Sequence, residues 1–228
     1  MNPFIQFFTN PRNAFLELKD SKKWIFVFIV ICFFNSMLAM ISLPYAKDSI
    51  IKSFEKKEDF IRDKLGDEQY DKMLEEALII NKTKIVITGI TGFLNFLIMT
   101  LLAAVLCYML SIPAGLPGVY IDYLKIFSYA SIVTMISIVL RMLIVPLIGN
   151  GMFDFSLAYF LPGSMKESYL GNVLTVVNPF YIWFLYMVFL GCENLLGAEK
   201  KKSIIVVFLY LIFVVLIRMI FFYMSTLF

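Results

Sequence analysis

The chain has 228 residues, 61% hydrophobic and only 16% charged, with a net charge of +3 and no histidine. A soluble domain runs nearer ~45–50% apolar and ~25% charged, so this balance excludes an ordinary soluble domain. So small a net charge leaves no electrostatic footprint for nucleic acid, and the missing histidine removes the commonest near-neutral acid/base and metal ligand.

Residues 1–23 mix aromatic and basic groups. Asn10-Pro11 is a turn or helix-start signal, and Phe15 and Leu18 share a helical face among Arg12, Lys19, Lys22 and Lys23. With Phe4, Ile5, Phe7 and Phe8 ahead of them, they predict a short amphipathic segment lying at a membrane interface. A first span follows at about 24–44, uncharged and opened by Trp24 as an interfacial anchor. Its apolar run is too long for a signal peptide, and Leu43-Pro44-Tyr45-Ala46 is a poor cleavage site, so the span is expected to stay.

The one long polar segment covers residues 45–84, with nine basic and ten acidic residues. Phe54, Phe60, Ile61 and Leu65, then Tyr70, Met73, Leu74, Ala77 and Leu78, predict two amphipathic helices broken at Gly66-Asp67. The balanced charge points to a solvated helical hairpin.

Further spans are predicted at about 85–110, 126–148, 173–196 and 203–227. Each has the ~20 residues needed to cross ~30 Å of hydrocarbon. Pro113, Gly115, Pro117 and Gly118 mark a turn-rich loop, residues 149–172 a looser one, and Glu199 with Lys200, Lys201 and Lys202 a tight charged one. The runs lack the alternation of a barrel, so the spans are helices, whose backbone groups are satisfied internally. The expected fold is all-α: one polytopic domain over 1–228, with five transmembrane helices and the hairpin between the first two.

Five crossings put the termini on opposite sides. Arg12, Lys19, Lys22, Lys23, Lys125 and Lys200 to Lys202 lie on one side; the bases of 45–84 and Lys166 lie on the other. The long segment is neutral overall, whereas the bases at 19–23 and 200–202 abut spans with few acids. The expected orientation is therefore a cytoplasmic N-terminus in the cell membrane.

Ionisable residues inside spans are functional candidates. Arg141 and Arg218 each lie about 15 residues into parallel spans, roughly 22 Å from the same face at ~1.5 Å per residue. They are candidates for a shared anion or lipid-phosphate site, against separate snorkelling to headgroups or pairing of Arg141 with Asp154. Glu193 is expected at the inner face, paired with Lys200 to Lys202 or Lys125. Asn35, Asn95, Asn172 and Asn178 are candidate bridges between helices, Gly89 and Gly92 offer close-packing faces, and Pro146 and Pro179 are expected to kink or end helices. Cys32, Cys107 and Cys192 show no CxxC spacing, and no GxxxxGK[ST], HExxH or GxSxG occurs. No catalytic residue, metal site or cofactor is expected, and the chain reads as a non-enzyme.

Several of these segments are familiar. Phe7-Phe8-Thr9-Asn10-Pro11-Arg12-Asn13-Ala14-Phe15 with Lys22-Lys23-Trp24 resembles the opening of bacterial Yip-domain proteins. Leu116-Pro117-Gly118-Val119-Tyr120-Ile121-Asp122-Tyr123 is similar to that family's glycine-containing loop into its third span, and Asn178-Pro179-Phe180-Tyr181-Ile182-Trp183, Leu190-Gly191 and the lysine cluster to its fourth span and following loop. The resemblance covers nearly the whole chain. It implies five spans, a cytoplasmic N-terminus and a role in membrane organisation. The family is named for interaction with Rab-type small GTPases in eukaryotes, and a long cytoplasmic N-terminal region is typical of that branch. This chain is similar to the prokaryotic branch, without that region, and small-GTPase binding is not expected. The leading expectation is a membrane organiser or adaptor, with membrane lipids, other membrane proteins or a second copy as partners. The alternative is a carrier or channel for a lipidic or anionic substrate.

Overall fold

The computed structural model describes residues 7–18, 22–55, 58–151, 153–162, 165 and 168–227, the side chains of Asp48, Ser49 and residues 225–227 excepted. Phe4, Ile5, Lys19 and Lys166 therefore lie outside the described residues. In chain order the helices are α1 (Pro11–Glu17), α2 (Lys23–Ser42), α3 (Lys47–Glu55), α4 (Glu58–Leu65), α5 (Asp67–Leu78), α6 (Lys82–Ser111), α7 (Tyr120–Ile148), α8 (Tyr169–Leu174), α9 (Pro179–Asn194) and α10 (Lys200–Leu227). Among the described residues there is no strand.

Four stretches are long and apolar enough to cross a membrane: Lys23–Tyr45, Lys82–Ser111, Tyr120–Ile148 and Lys200–Met224. These helices are apolar all round, the pattern of a span rather than of a surface helix. Bulky side chains such as Phe26, Ile98, Leu143 and Phe221 point outward, at 71%, 49%, 62% and 68% exposure. Such a surface is stable against lipid and not against water.

The span expected at 173–196 is not one helix. α8 ends at Leu174, residues 175–178 make a turn, and α9 begins only at Pro179. Proline has no N–H to donate and disfavours helical backbone in the residue before it. Asn178 is accordingly extended, at φ −127° and ψ 130°, and its side chain caps α9 by accepting from Phe180 N–H at 2.9 Å. With 16 residues, α9 is about 24 Å long, short of the ~30 Å hydrocarbon core. The third and fifth expected spans also begin early. Asp122 accepts from Val119 N–H and starts α7 at Tyr120, and Lys200 to Lys202 form the first turn of α10 rather than a loop.

In the polar segment, α3 and α4 lie on either side of residues 56–57, outside the described residues, and α5 does not run into α6. It ends at Leu78, where Ile79 turns extended, and Asn81 caps α6 by accepting from Lys84 N–H at 2.8 Å. The expected break does occur at Gly66, whose φ of +85° favours glycine. Arg62 clamps that elbow, reaching Glu58 at 2.8 Å, Asp67 at 2.7 Å and Asp71 at 3.3 Å. Its guanidinium also lies 4.3 Å from the Tyr70 ring centre. The hydrogen bond to Asp67, opposed by desolvation and helped by Glu58 and Asp71, pushes the Arg62 pKa up. Tyr70 packs on Phe54 and closes α5 onto α3.

In the bundle, α7 is central and touches α2, α6 and α9. Every residue from Ile126 to Val133 is buried. The two expected small faces are used. A Cβ on Gly89 would come within 2.8 Å of Met40 Sδ, and one on Gly92 within 2.8 Å of Ala39 Cβ. The close approach of α2 and α6 is tied by Ser36 Oγ and Asn35 Nδ2, each donating at 2.8 Å to the carbonyls of Gly89 and Gly92. Gly191 does the same for α9 against Ile126 of α7. Cys107 and Cys192, far apart in sequence, are both fully buried and lie beside each other.

α1 does not lie free at an interface. It packs on α9, with Phe15 fully buried and ring contacts from Phe7 and Phe15 to Tyr129 and from Phe8 to Trp183. The loops sort to two ends. At one, Gly118 sits against Leu196. At the other, Gly151 N–H donates to Tyr45 C=O at 3.0 Å, joining the end of α7 to the end of α2.

Candidate functional site

The break before α9 opens a polar crevice of about 180 Å³. Thr134 and Ser137, three residues apart on one face of α7, form one wall. Thr175 and Asn178 from the break, Tyr181 from α9 and Arg218 from α10 form the others. Along the helices, Ser137 is about 26 Å from Tyr120, Pro179 about 23 Å from Asn194 and Arg218 about 27 Å from Lys200, at ~1.5 Å per residue. The crevice therefore belongs to the half of the bundle that ends at Tyr45 and Gly151.

Arg218 is exposed at this crevice and donates through Nη1 to Thr175 Oγ1. Thr175 in turn donates to Asn172 C=O at 2.6 Å, so the arginine is oriented through the broken backbone itself. Among the described residues no carboxylate is in ion-pair contact with Arg218. The Tyr181 hydroxyl is buried and makes no hydrogen bond of ordinary geometry among them, although Tyr210 is beside it. The crevice thus gathers an oriented cation and several hydroxyl-bearing residues, a set that suits an anion.

Arg141 is not among the residues lining this crevice. It is half-buried on α7, its Nε without a hydrogen-bond partner among the described residues, and the acid acting on its charge is Asp154. Asp154 is held by accepting from Ser156 N–H at 2.7 Å. The two arginines therefore have different surroundings.

At the opposite end, Glu193 has one carboxylate oxygen buried without a hydrogen-bond partner among the described residues, and Lys200 is exposed. The ion pair formed within the lysine cluster is Lys202 with Glu199, at 3.4 Å. Lys125 pairs with Asp122 at 3.4 Å.

Sequence reading missed Thr134, Ser137, Thr175 and Tyr181. Hydroxyls in apolar runs carry no signal of their own, since they usually bond within their helix. Asn178-Pro179 was the one local mark of the place.

A protein-family model described as the Yip1 domain matches residues 5–222. No curated protein and no solved structure matches the chain.

Proposed function

Because the chain belongs to the Yip1-domain family, we propose that it is a non-enzymatic multi-pass membrane protein that organises its bilayer surroundings or adapts other membrane proteins, rather than a carrier. In this reading α8 and α9 together make a fifth crossing, bent at Thr175–Asn178. The N-terminus is cytoplasmic, the membrane is the cell membrane of a prokaryote, and the partners are lipids, other membrane proteins or a second copy of the chain.

The observation that supports a stationary role is the filled centre of the bundle. A carrier needs a polar cavity near the midplane between moving halves. Here α7 is buried at every position from Ile126 to Val133, more than two turns, by aromatic and aliphatic side chains from its neighbours. Broken backbone at membrane depth is tolerated where it lines a polar cavity, and the crevice at the break meets that condition at one end of the bundle without running through it.

The test is a lipid-scrambling and anion-flux assay with purified protein in vesicles. The organiser reading expects rates equal to protein-free vesicles. Movement that is abolished by Arg218→Gln would replace it with the carrier reading.

A further inference from the structure

We propose that the crevice beside Arg218 binds one phosphate group, carried by a phospholipid headgroup or by a free phosphate anion. The inference goes beyond the organiser reading and holds whether or not the protein moves lipid.

Four observations converge. The first is the unpaired cation. An arginine in a span is tolerated where it nears the interface or where something compensates its charge. Neither Arg141 nor Arg218 is in ion-pair contact with a carboxylate among the described residues, but the charge of Asp154 acts on Arg141, whereas Arg218 is bonded to a neutral hydroxyl. The second is orientation. Thr175 accepts from one guanidinium nitrogen and is itself tied to Asn172 C=O, which fixes the fork and leaves its other N–H groups for a ligand. The third is the donor count. The Tyr181 hydroxyl is buried without an ordinary partner, and Thr134 and Ser137 line the same space. Donors on several sides match a tetrahedral group with several acceptor oxygens better than a planar carboxylate. The fourth is size. A single water needs only ~10–15 Å³; the crevice offers about 180 Å³, enough for a phosphate with its attached ester.

The position fits a headgroup as well. Arg218 lies about 27 Å along α10, near the far edge of a ~30 Å hydrocarbon layer. The positive end of the α9 helix dipole adds to the field there.

The experiment is native mass spectrometry of the full chain, released from detergent after incubation with phosphatidylglycerol, and separately with inorganic phosphate. The wild type is expected to retain one phospholipid per chain, or to bind inorganic phosphate with loss of that lipid. The first result assigns the site to a headgroup and the second to a free anion. Arg218→Gln is expected to weaken the bound species at least about tenfold, as for loss of a charge-assisted hydrogen bond. Tyr181→Phe, which removes one oxygen and keeps the packing, is expected to weaken it about three- to tenfold. Arg141→Gln is the control and should leave binding unchanged. Equal retention in wild type, Arg218→Gln and Tyr181→Phe would overturn the proposal. So would a loss in Arg141→Gln as large as in Arg218→Gln. If Arg218→Gln fails to fold, Tyr181→Phe against Arg141→Gln decides the question alone.

Discussion

Gly191 sets how closely α9 approaches the central helix. A Cβ there would stand 2.6 Å from Ile126 Cγ2, closer than any real contact, and Ile126 is itself fully buried. Neither side has room to yield. Gly191→Val is therefore expected to destabilise the fold by about 1–3 kcal/mol, the usual range for overpacking. A thermal melt in a fixed detergent measures it. Ile126→Ala introduced with Gly191→Val should recover part of the loss, because the two sites share one space and their effects are not additive. Arg141 and Arg218 show the opposite kind of residue effect. The same side chain at similar depth has different surroundings, because the charge of Asp154 acts on one and the Thr175 hydroxyl bonds the other. Residue type and depth were legible in the sequence; the partner depends on how loops 149–178 fold back, which no local pattern records.

At the scale of elements, the apolar runs were the most legible feature, because hydropathy is a local sum. Four of the five expected spans stand as long helices with shifted ends. The fourth does not, for a reason written in it: Asn178-Pro179 favours a helix start with an extended, capping asparagine, yet the apolar residues on both sides mask the interruption. Periodicity also identified the apolar face of α1 but not what covers it. Lipid and a neighbouring helix are equally apolar, and here α9 is the cover. Phe15, fully buried against Tyr129, is the centre of that contact. Phe15→Asp is expected to release α1 while leaving the bundle assembled. Limited proteolysis should then cut within residues 7–18 at a rate well above wild type, with the four long helices still protected. Equal protection in both proteins would show that α1 is held by something other than this face. The elbow at Gly66 behaves differently, since its clamp is exposed charge. Salt should loosen the Arg62 cluster while leaving α1 docked.

For the whole molecule, the open question is what the bend between α8 and α9 does to topology. The link from α9 to α10 is short, and α9 packs along α7 and α10. A crossing by α8 and α9 together places the polar segment of α3–α5 and the first turn of α10 on opposite sides. A chain that turns back at the bend places them on the same side. Single cysteines separate these arrangements. Lys72→Cys lies on the exposed face of α5 and Lys201→Cys in the exposed first turn of α10. The native Cys32, Cys107 and Cys192 are all fully buried and contribute no background to a membrane-impermeant maleimide. In intact cells, labelling of Lys72→Cys alone is expected, which corresponds to five crossings with the N-terminus inside. Labelling of Lys201→Cys alone keeps five crossings and reverses the orientation. Labelling of both, or of neither until the cells are opened, gives an even count and removes α9 from the set of crossings. In that last case the run of α9, from Asn178 beside Arg218 to the end where Leu196 meets Gly118, would not be a crossing of the bilayer, and the basic first turn of α10 would lie on the same side as α3–α5.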